Sequence, residues 1–405
     1  MPDAPTPGSP EGAPGGTPSV EVGELLSRVD AASPELLLLD VRNEEEFESW
    51  RLEGRRPIET IHIPYFDFIE EPEACVAKVP GGRDLVVLCA KGGSSEMIVE
   101  MLGDAGIAAR NVKGGMIAYG DYLQPVRVPL STEAKASLEL WQVNRRGKGC
   151  LSYVIVSGGD AVVVDPARHV AWYEAFVESR GAKLVHVLDS HVHADHLSGG
   201  PELAARADAP YFVAAGEGFE LRHNATPLED GRELSVGAKD QRGIRIRVIS
   251  TPGHTPGSTS FLVDGRALLS GDTLFVGGVG RPDLGGHVDE WGDALFRTLN
   301  ERLSGLPDEI VVLPAHGAGP HEIGSDGVVA GRLGDLRRSV PELGLKSAVE
   351  FVAAMRAVVK TPPESYAHII RMNLGSEPVD AEKVAEFELG KNQCAASQRS
   401  GAAEQ

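Results

Sequence analysis

Residues 190–196 read Ser-His-Val-His-Ala-Asp-His, so three of the chain's 12 histidines fall in one short stretch, directly after the apolar run KLVHVLD. A single histidine in that position would be an ordinary surface or hydrogen-bonded residue. Three imidazoles and a carboxylate crowded together repel one another if protonated. If neutral, they present several lone pairs to one small volume, which is what a bound cation requires. Further donors stand just past other strand-like runs: His254 after IRIRVISTPG, Asp272 after RALLSG and His316 after EIVVLPA. Ligands at strand ends can converge at one edge of a sheet structure, and the turns TPGHTPGS and SGDT can fix side-chain direction there.

A second stretch able to do chemistry is DLVVLCAKGGSSEMIVEML, which puts Cys89 at the end of an apolar run and just before a helical pattern. Most buried cysteines are inert core residues. Here the glycines and the helix start would surround the sulfur with backbone N–H groups, a setting that favours an anionic sulfur, thiolate or persulfide. Lys91 is the one cation of this loop, CAKGGSS.

The elements that must position these residues follow from hydropathy patterning. Residues 20–128 carry the runs ELLLLDV and DLVVLC with helically spaced segments between and after them, Met97, Ile98, Met101 and Leu102 forming one apolar face. Strands alternating with helices imply an α/β domain with a largely parallel sheet. Residues 129–137 read as a linker. Residues 138–390 open with CLSYVIV and AVVVD around the turn SGGD, and IRIRVIS alternates at period two, as a half-buried strand does. The Pro/Gly-rich first 19 residues and residues 391–405 have little apolar surface to bury and are expected to be disordered or flexible tails.

Composition bounds the function. With 39 basic and 59 acidic residues the formal net charge is −20, which argues against nucleic acid or an anionic membrane surface as a partner. No run of 18 apolar residues exists, so no membrane span is expected. The first residues lack the basic and apolar regions of a secretory signal, which makes the cytoplasm the expected location. Four cysteines without paired spacing are expected to be reduced thiols.

The pattern H-x-H-x-D-H at 191–196, followed in order by His254, Asp272 and His316, resembles the metallo-β-lactamase superfamily, and Asp165 in VVVDPAR matches the aspartate that lies beside the site there. The resemblance implies an αββα sandwich with metal at one edge of its two sheets. Residues 20–128, with LLLLDVRNEEEFESW, IHIP, the Cys89 loop and NVKGGMIAYG, resemble a rhodanese domain. Within the superfamily, GDTLFVGGVGRPDLGG, PAHGAG and KGCLSY, which contains Cys150, are similar to persulfide dioxygenases fused to sulfurtransferase domains.

That resemblance implies one Fe2+ held by His191, His254 and Asp272, two imidazoles and a carboxylate with open positions, as non-haem iron oxygenases have. His193, Asp195, His196, His316 and Asp165 would then orient the ligands or mark a second-metal position, and Arg281 would lie near the substrate-binding surface. The implied reaction oxidises a glutathione-type persulfide with O2 to sulfite, while Cys89 handles sulfane sulfur. Many rhodaneses carry an arginine where this chain has Ser94, so Lys91 and Ser94 set an altered anion site. The alternative implied by the same superfamily is a dinuclear Zn2+ thioester hydrolase resembling glyoxalase II. A reading of another class is a sulfur carrier without oxidation. Self-association is compatible with all three.

Overall fold

The computed structural model describes residues 16–130, 138–214, 216, 219–237, 243–317, 319–359 and 361–394. Two compact units divide between Tyr119 and Gly120.

In the first unit a five-stranded sheet runs in the order Ser19–Val20, Ala109–Val112, Asp84–Leu88, Leu36–Asp40, Thr60–His62, with every neighbouring pair parallel. Parallel strands need crossovers, and the helices that supply them cover the sheet. Leu37, Leu39, Val87, Ile98, Val99 and Leu102 share one core. In the helix Gly93–Asp104 the buried side chains are Ser95, Ile98, Val99 and Leu102; Met97, expected on the apolar face, is exposed. The irregular stretch after Trp50 contains the strand Thr60–His62 and the short helices Tyr65–Glu70 and Pro72–Val76.

The second unit is a four-layer sandwich. One six-stranded sheet runs Tyr211–Phe212, Lys183–Leu188, Asp160–Val164, Cys150–Ser157, Glu139–Arg145, Gln124–Arg127, and the other runs Glu233–Val236, Ile244–Ser250, Thr259–Val263, Ala267–Gly271, Val311–Pro314, Gly331–Arg332. Period-two alternation builds the layers. Tyr153, Ile155, Val162 and Val164 face Ile246, Val248, Phe261 and Leu269 between the sheets, whereas Val154, Val163 and Val187 pack outward on Tyr173, Val177 and Leu203 of the helices. Leu268 and Val312 do the same on the other side, against Leu295, Leu336 and Phe351. The alternation read in IRIRVIS is present: Ile244, Ile246 and Val248 are buried, and Arg245 and Arg247 are exposed.

Two stretches differ from the sequence reading, and others lie outside the described residues. The strand Gln124–Arg127, within the range given to the first domain, is an edge of the second unit's sheet because it pairs antiparallel with Glu139–Arg145. Of the expected linker, residues 131–137 lie outside the described residues, as do residues 1–15 and 395–405 of the expected tails. Residues 391–394 are not a loose end: Asn392 and Cys394 are buried, and Asn392 donates backbone and side-chain N–H groups to the Lys148 carbonyl. Composition alone misled here, since hydrogen bonds to Lys148 and the packing of Cys394 against Ala194 and Tyr366 hold this segment.

Candidate metal centre and cysteine loop

The donors of the second unit all sit just past strand ends, as expected: Asp165 after Asp160–Val164, residues 191–196 after Lys183–Leu188, His254 after Ile244–Ser250, Asp272 after Ala267–Gly271, and His316 after Val311–Pro314. The histidine-rich loop is pinned from several sides. Asp165, itself held at φ 52°, accepts from Ser190 N–H at 2.6 Å and from His193 Nε2 at 3.2 Å. Asn373 donates to the carbonyls of His193 and His196, and Glu388 accepts from Leu197 N–H at 2.7 Å. Gly280 presses on Asp272 so closely that a Cβ there would lie 1.8 Å from the Asp272 carbonyl oxygen.

His191, His254 and Asp272 form one fully buried group whose ligand atoms converge. His254 donates Nδ1–H to the Arg281 carbonyl at 2.9 Å, which leaves the Nε2 lone pair 3.4 Å from Asp272 Oδ2. His191 Nδ1 lies 3.0 Å from Ser190 Oγ, and its Nε2 lies 3.8 Å from the same carboxylate oxygen. His191 Nε2 and Asp272 Oδ2 are buried without a hydrogen-bond partner. Orphaned buried acceptors are costly alone and are satisfied by a cation. Ligand atoms 2.0–2.2 Å from one ion stand roughly 3 to 3.5 Å apart, so this set fits a metal with small adjustments. Burial, then repulsion from His193, drives His191 well below its ordinary imidazole value, and burial lowers His254. Burial opposes ionisation of Asp272, but His316 prevails and holds it below the usual carboxylate range. Two neutral imidazoles and an ionised carboxylate are the protonation states a metal needs.

The remaining motif residues are held differently. His193 turns toward Asp165 and Asp189. His316 bridges two carboxylates, donating Nδ1–H to Asp272 Oδ1 at 2.6 Å and Nε2–H to Asp195 Oδ2 at 3.0 Å. Burial disfavours its charge, but Asp272 and Asp195 outweigh that and raise it well above the ordinary value; Asp195 does the same for His196. Cys150 closes this second cluster. Its strand is tied to the His316 loop by Leu151 N–H to the Ala315 carbonyl at 2.7 Å and Gly317 N–H to the Gly149 carbonyl at 3.1 Å, and its thiol donates to Asp195 Oδ2 at 3.1 Å. Cys394 stands on the other side, its sulfur grouped with Asp272 and His316.

Arg281, expected near the substrate, is 3% exposed, with its guanidinium on Asp283 at 2.8 and 2.5 Å and on the Gln393 carbonyl at 3.2 Å. It anchors the segment that delivers Cys394. Sequence reasoning missed Cys394, Asn373 and Glu388, and no local pattern marks them.

In the first unit Cys89 Sγ accepts from Gly92 N–H at 3.0 Å and from the Ser95 hydroxyl at 3.0 Å, and Ser95 lies 2.6 Å from Asn111 Oδ1. Gly115, at φ 59°, passes so near that a Cβ would stand 2.3 Å from the Cys89 carbonyl oxygen. Lys91 is exposed and Ser94 half-buried. Ser95, not named from the sequence, is the side chain that reaches the sulfur.

Residues 21–121 match the model of the rhodanese-like domain and residues 145–316 that of the metallo-beta-lactamase superfamily. A hydroxyacylglutathione hydrolase of Anaeromyxobacter dehalogenans is 32% identical over 53% of this chain and 82% of its own length. The chain is a rhodanese-like domain followed by a metallo-β-lactamase domain. The bovine mitochondrial persulfide dioxygenase ETHE1 is 26% identical over 53% of this chain and 78% of its own length. A crystal structure of a metallo-beta-lactamase from Staphylococcus aureus superposes with a TM-score of 0.54 at 26% identity, covering 60% of this chain and 73% of the other. The chain spans 63% and 57% of the length of two further curated relatives named hydroxyacylglutathione hydrolase. The superfamily binds metal ions, and the grouped donors of this domain accord with that. No helix among the described residues is long and apolar enough to cross a membrane.

Proposed function

We propose that the metallo-β-lactamase domain is a mononuclear iron persulfide dioxygenase, converting a low-molecular-weight thiol persulfide such as glutathione persulfide, with O2 and water, into the thiol and sulfite. The rhodanese-like domain exchanges sulfane sulfur on Cys89. One observation supports the metal count above all. His191, His254 and Asp272 are the group of two imidazoles and one carboxylate whose ligand atoms converge, with His191 Nε2 and Asp272 Oδ2 unpartnered, whereas His193 and His196, which keep unpartnered Nδ1 and Nε2 atoms, fall in separate groups with Asp165 and Asp189 and with Cys150, Asp195 and His316.

Two imidazoles and one carboxylate would hold Fe2+, which supplies redox chemistry toward O2 and open positions for sulfur. The chain's own contribution is orientation and exclusion of water. Arg281 fixes His254 through its carbonyl, His316 fixes the Asp272 carboxylate, and the ligands, beside which Cys394 groups with Asp272 and His316, are 1% exposed. In the first domain, Gly92 N–H and Ser95 Oγ–H stabilise an anionic sulfur on Cys89.

A second reading, a dinuclear Zn2+ thioester hydrolase, is supported by the names of several relatives and by the presence of Asp195, His196 and His316 beside Asp272. Metal content and O2 consumption separate the two. About one iron per chain, with O2 uptake on glutathione persulfide, is expected. Two zincs per chain, with thioester hydrolysis and no O2 uptake, would overturn the dioxygenase.

A further inference from the structure

The large apolar side chains that the first unit exposes gather beside its cysteine loop. Phe66, Ile69 and Met97 are 71%, 50% and 48% exposed. Phe66 and Ile69 lie on the helix Tyr65–Glu70, and Met97 lies near the start of the helix Gly93–Asp104. Tyr65 joins them, its hydroxyl 3.4 Å from Met97 Sδ and its ring centre 5.5 Å from that of Phe66. The patch is tied to the sulfur through the sheet. Tyr65 N–H donates to the Val41 carbonyl at 2.8 Å, and Val41 N–H donates at 2.9 Å to the carbonyl of Leu88, the residue before Cys89. On the helix that opens at the cysteine loop, Gly93 and Met97 stand one turn apart and are both exposed. Single apolar residues on a surface need no explanation, but a cluster beside a reactive group marks a contact surface.

Charge and composition decide what can cover it. Residues 65–77 carry the exposed carboxylates Asp67, Glu70, Glu71 and Glu73 and no lysine or arginine. The whole chain carries a net charge of −20, so a second copy would bring like charge to this face. The stretches outside the described residues contain no aromatic, leucine, isoleucine or valine side chain to lay over it. What fits is a different surface, apolar at its centre and basic at its rim. Cys89, reached by Gly92 N–H and the Ser95 hydroxyl at the same edge of the sheet, sets the chemistry such a partner must bring.

We propose that the face formed by Tyr65, Phe66, Ile69 and Met97 docks a protein whose own cysteine persulfide is set among apolar and basic residues, and that this partner loads Cys89. The Cys89 thiolate attacks the outer sulfur of the partner's persulfide. The partner's S–S bond breaks as the new one forms, the partner leaves as a thiolate, the outer sulfur keeps its proton, and no oxidant or reductant is consumed. This rests on the sulfur-exchange reading of Cys89 and names its partner class. The test follows single-turnover loading of Cys89 in the full-length protein by mass spectrometry. The donors are glutathione persulfide and the persulfides of a cysteine peptide flanked by leucines and lysines, of the same peptide with glutamates for the lysines, and of the same peptide with serines for the leucines. The leucine–lysine peptide is expected to load Cys89 at least about tenfold faster than either altered peptide at low salt, with the advantage shrinking as salt rises. Phe66→Ser and Ile69→Ser are each expected to slow that peptide about fivefold through lost apolar contact, and Glu70→Lys combined with Glu73→Lys to slow it by a similar factor. All of these variants should leave loading by glutathione persulfide and O2 uptake unchanged. Equal rates for the peptides, or a peptide rate indifferent to these substitutions while glutathione persulfide still loads Cys89, would overturn the docking alone. A concentration-dependent dimer in sedimentation velocity that Phe66→Ser dissolves would give the face to a second copy and overturn it as well. If no donor loads Cys89, the sulfur-exchange reading falls and the docking falls with it.

Discussion

The two sites of this chain are both buried, and they are built in opposite ways. The Cys89 site is almost entirely local: the sulfur, its donors Gly92 and Ser95, and the supporting Asn111 and Gly115 all lie between residues 89 and 115. The metal centre draws on residues from Asp165 to Cys394, carried by both sheets and by the C-terminal helices. A local site needs one strand, one turn and one helix start to be right. A dispersed site is only as good as the packing of the whole domain, and its ligands are held by second partners that lie far away in sequence.

The largest expected effects separate the sites outright. Asp272→Ala or His254→Ala should remove bound iron and O2 uptake by at least about a hundredfold, since each deletes one of three converging ligands. Metal analysis beside oxygen-electrode rates checks this. Cys89→Ser should abolish sulfur transfer while leaving O2 uptake on supplied persulfide intact, and its loss of both would break the division of labour. His196→Ala should retain most of its iron, because His196 groups with Cys150, Asp195 and His316 rather than with His191 and His254.

The dispersed site should also fail from a distance. Glu388 accepts from Arg145, Arg168 and Leu197 N–H, and its carboxyl is held down at about 2: burial opposes the charge, but the two arginines outweigh it. A carboxylate depressed in the folded state contributes stability that is complete above its ordinary range near 4.5 and is lost as pH falls toward about 2. Glu388→Gln should therefore cost roughly 3 kcal/mol at neutral pH, and the variant and the unaltered protein should converge in acid. Urea titrations at several pH values would show it. The transition of the first domain should not move, and a shift there would contradict its independence.

Smaller changes probe the local site. Ser95→Ala should slow sulfur transfer about tenfold, as expected for one hydrogen bond to an anionic sulfur worth roughly 1.5 kcal/mol. Single-turnover transfer from Cys89 measures it. Ser94→Arg should raise use of thiosulfate, a dianion, a few-fold over a weak starting rate, with little change for glutathione-type persulfides. Efficient thiosulfate turnover by the unaltered protein would show that Lys91 and the backbone suffice.

The comparison also explains what was legible. Strand-end donors could be read because period-two runs mark where a strand stops, so His191, His254, Asp272 and His316 stood out one by one. The parallel sheet of the first domain and the Cys89 loop were readable for the same reason. Met97 was misassigned because a helix face read from spacing carries no information on where the sheet lies, and Ile98 with Val99 turned inward instead.

By itself the sequence determined the two domain types, the order of the elements and the set of residues able to bind a metal or carry sulfur, all of which are written in local spacing and residue chemistry. Only the tertiary structure decided how that set divides. It turned His193 toward Asp165, put the Cys150 thiol on Asp195, tied up Arg281 with Asp283 and Gln393, and brought Cys394 against Asp272 and His316. Those contacts join residues up to 122 positions apart, from Asp272 to Cys394. Their geometry is set by the packing of two sheets and by which nitrogen of each ring finds a partner, and neither is recorded in the neighbourhood of any one residue.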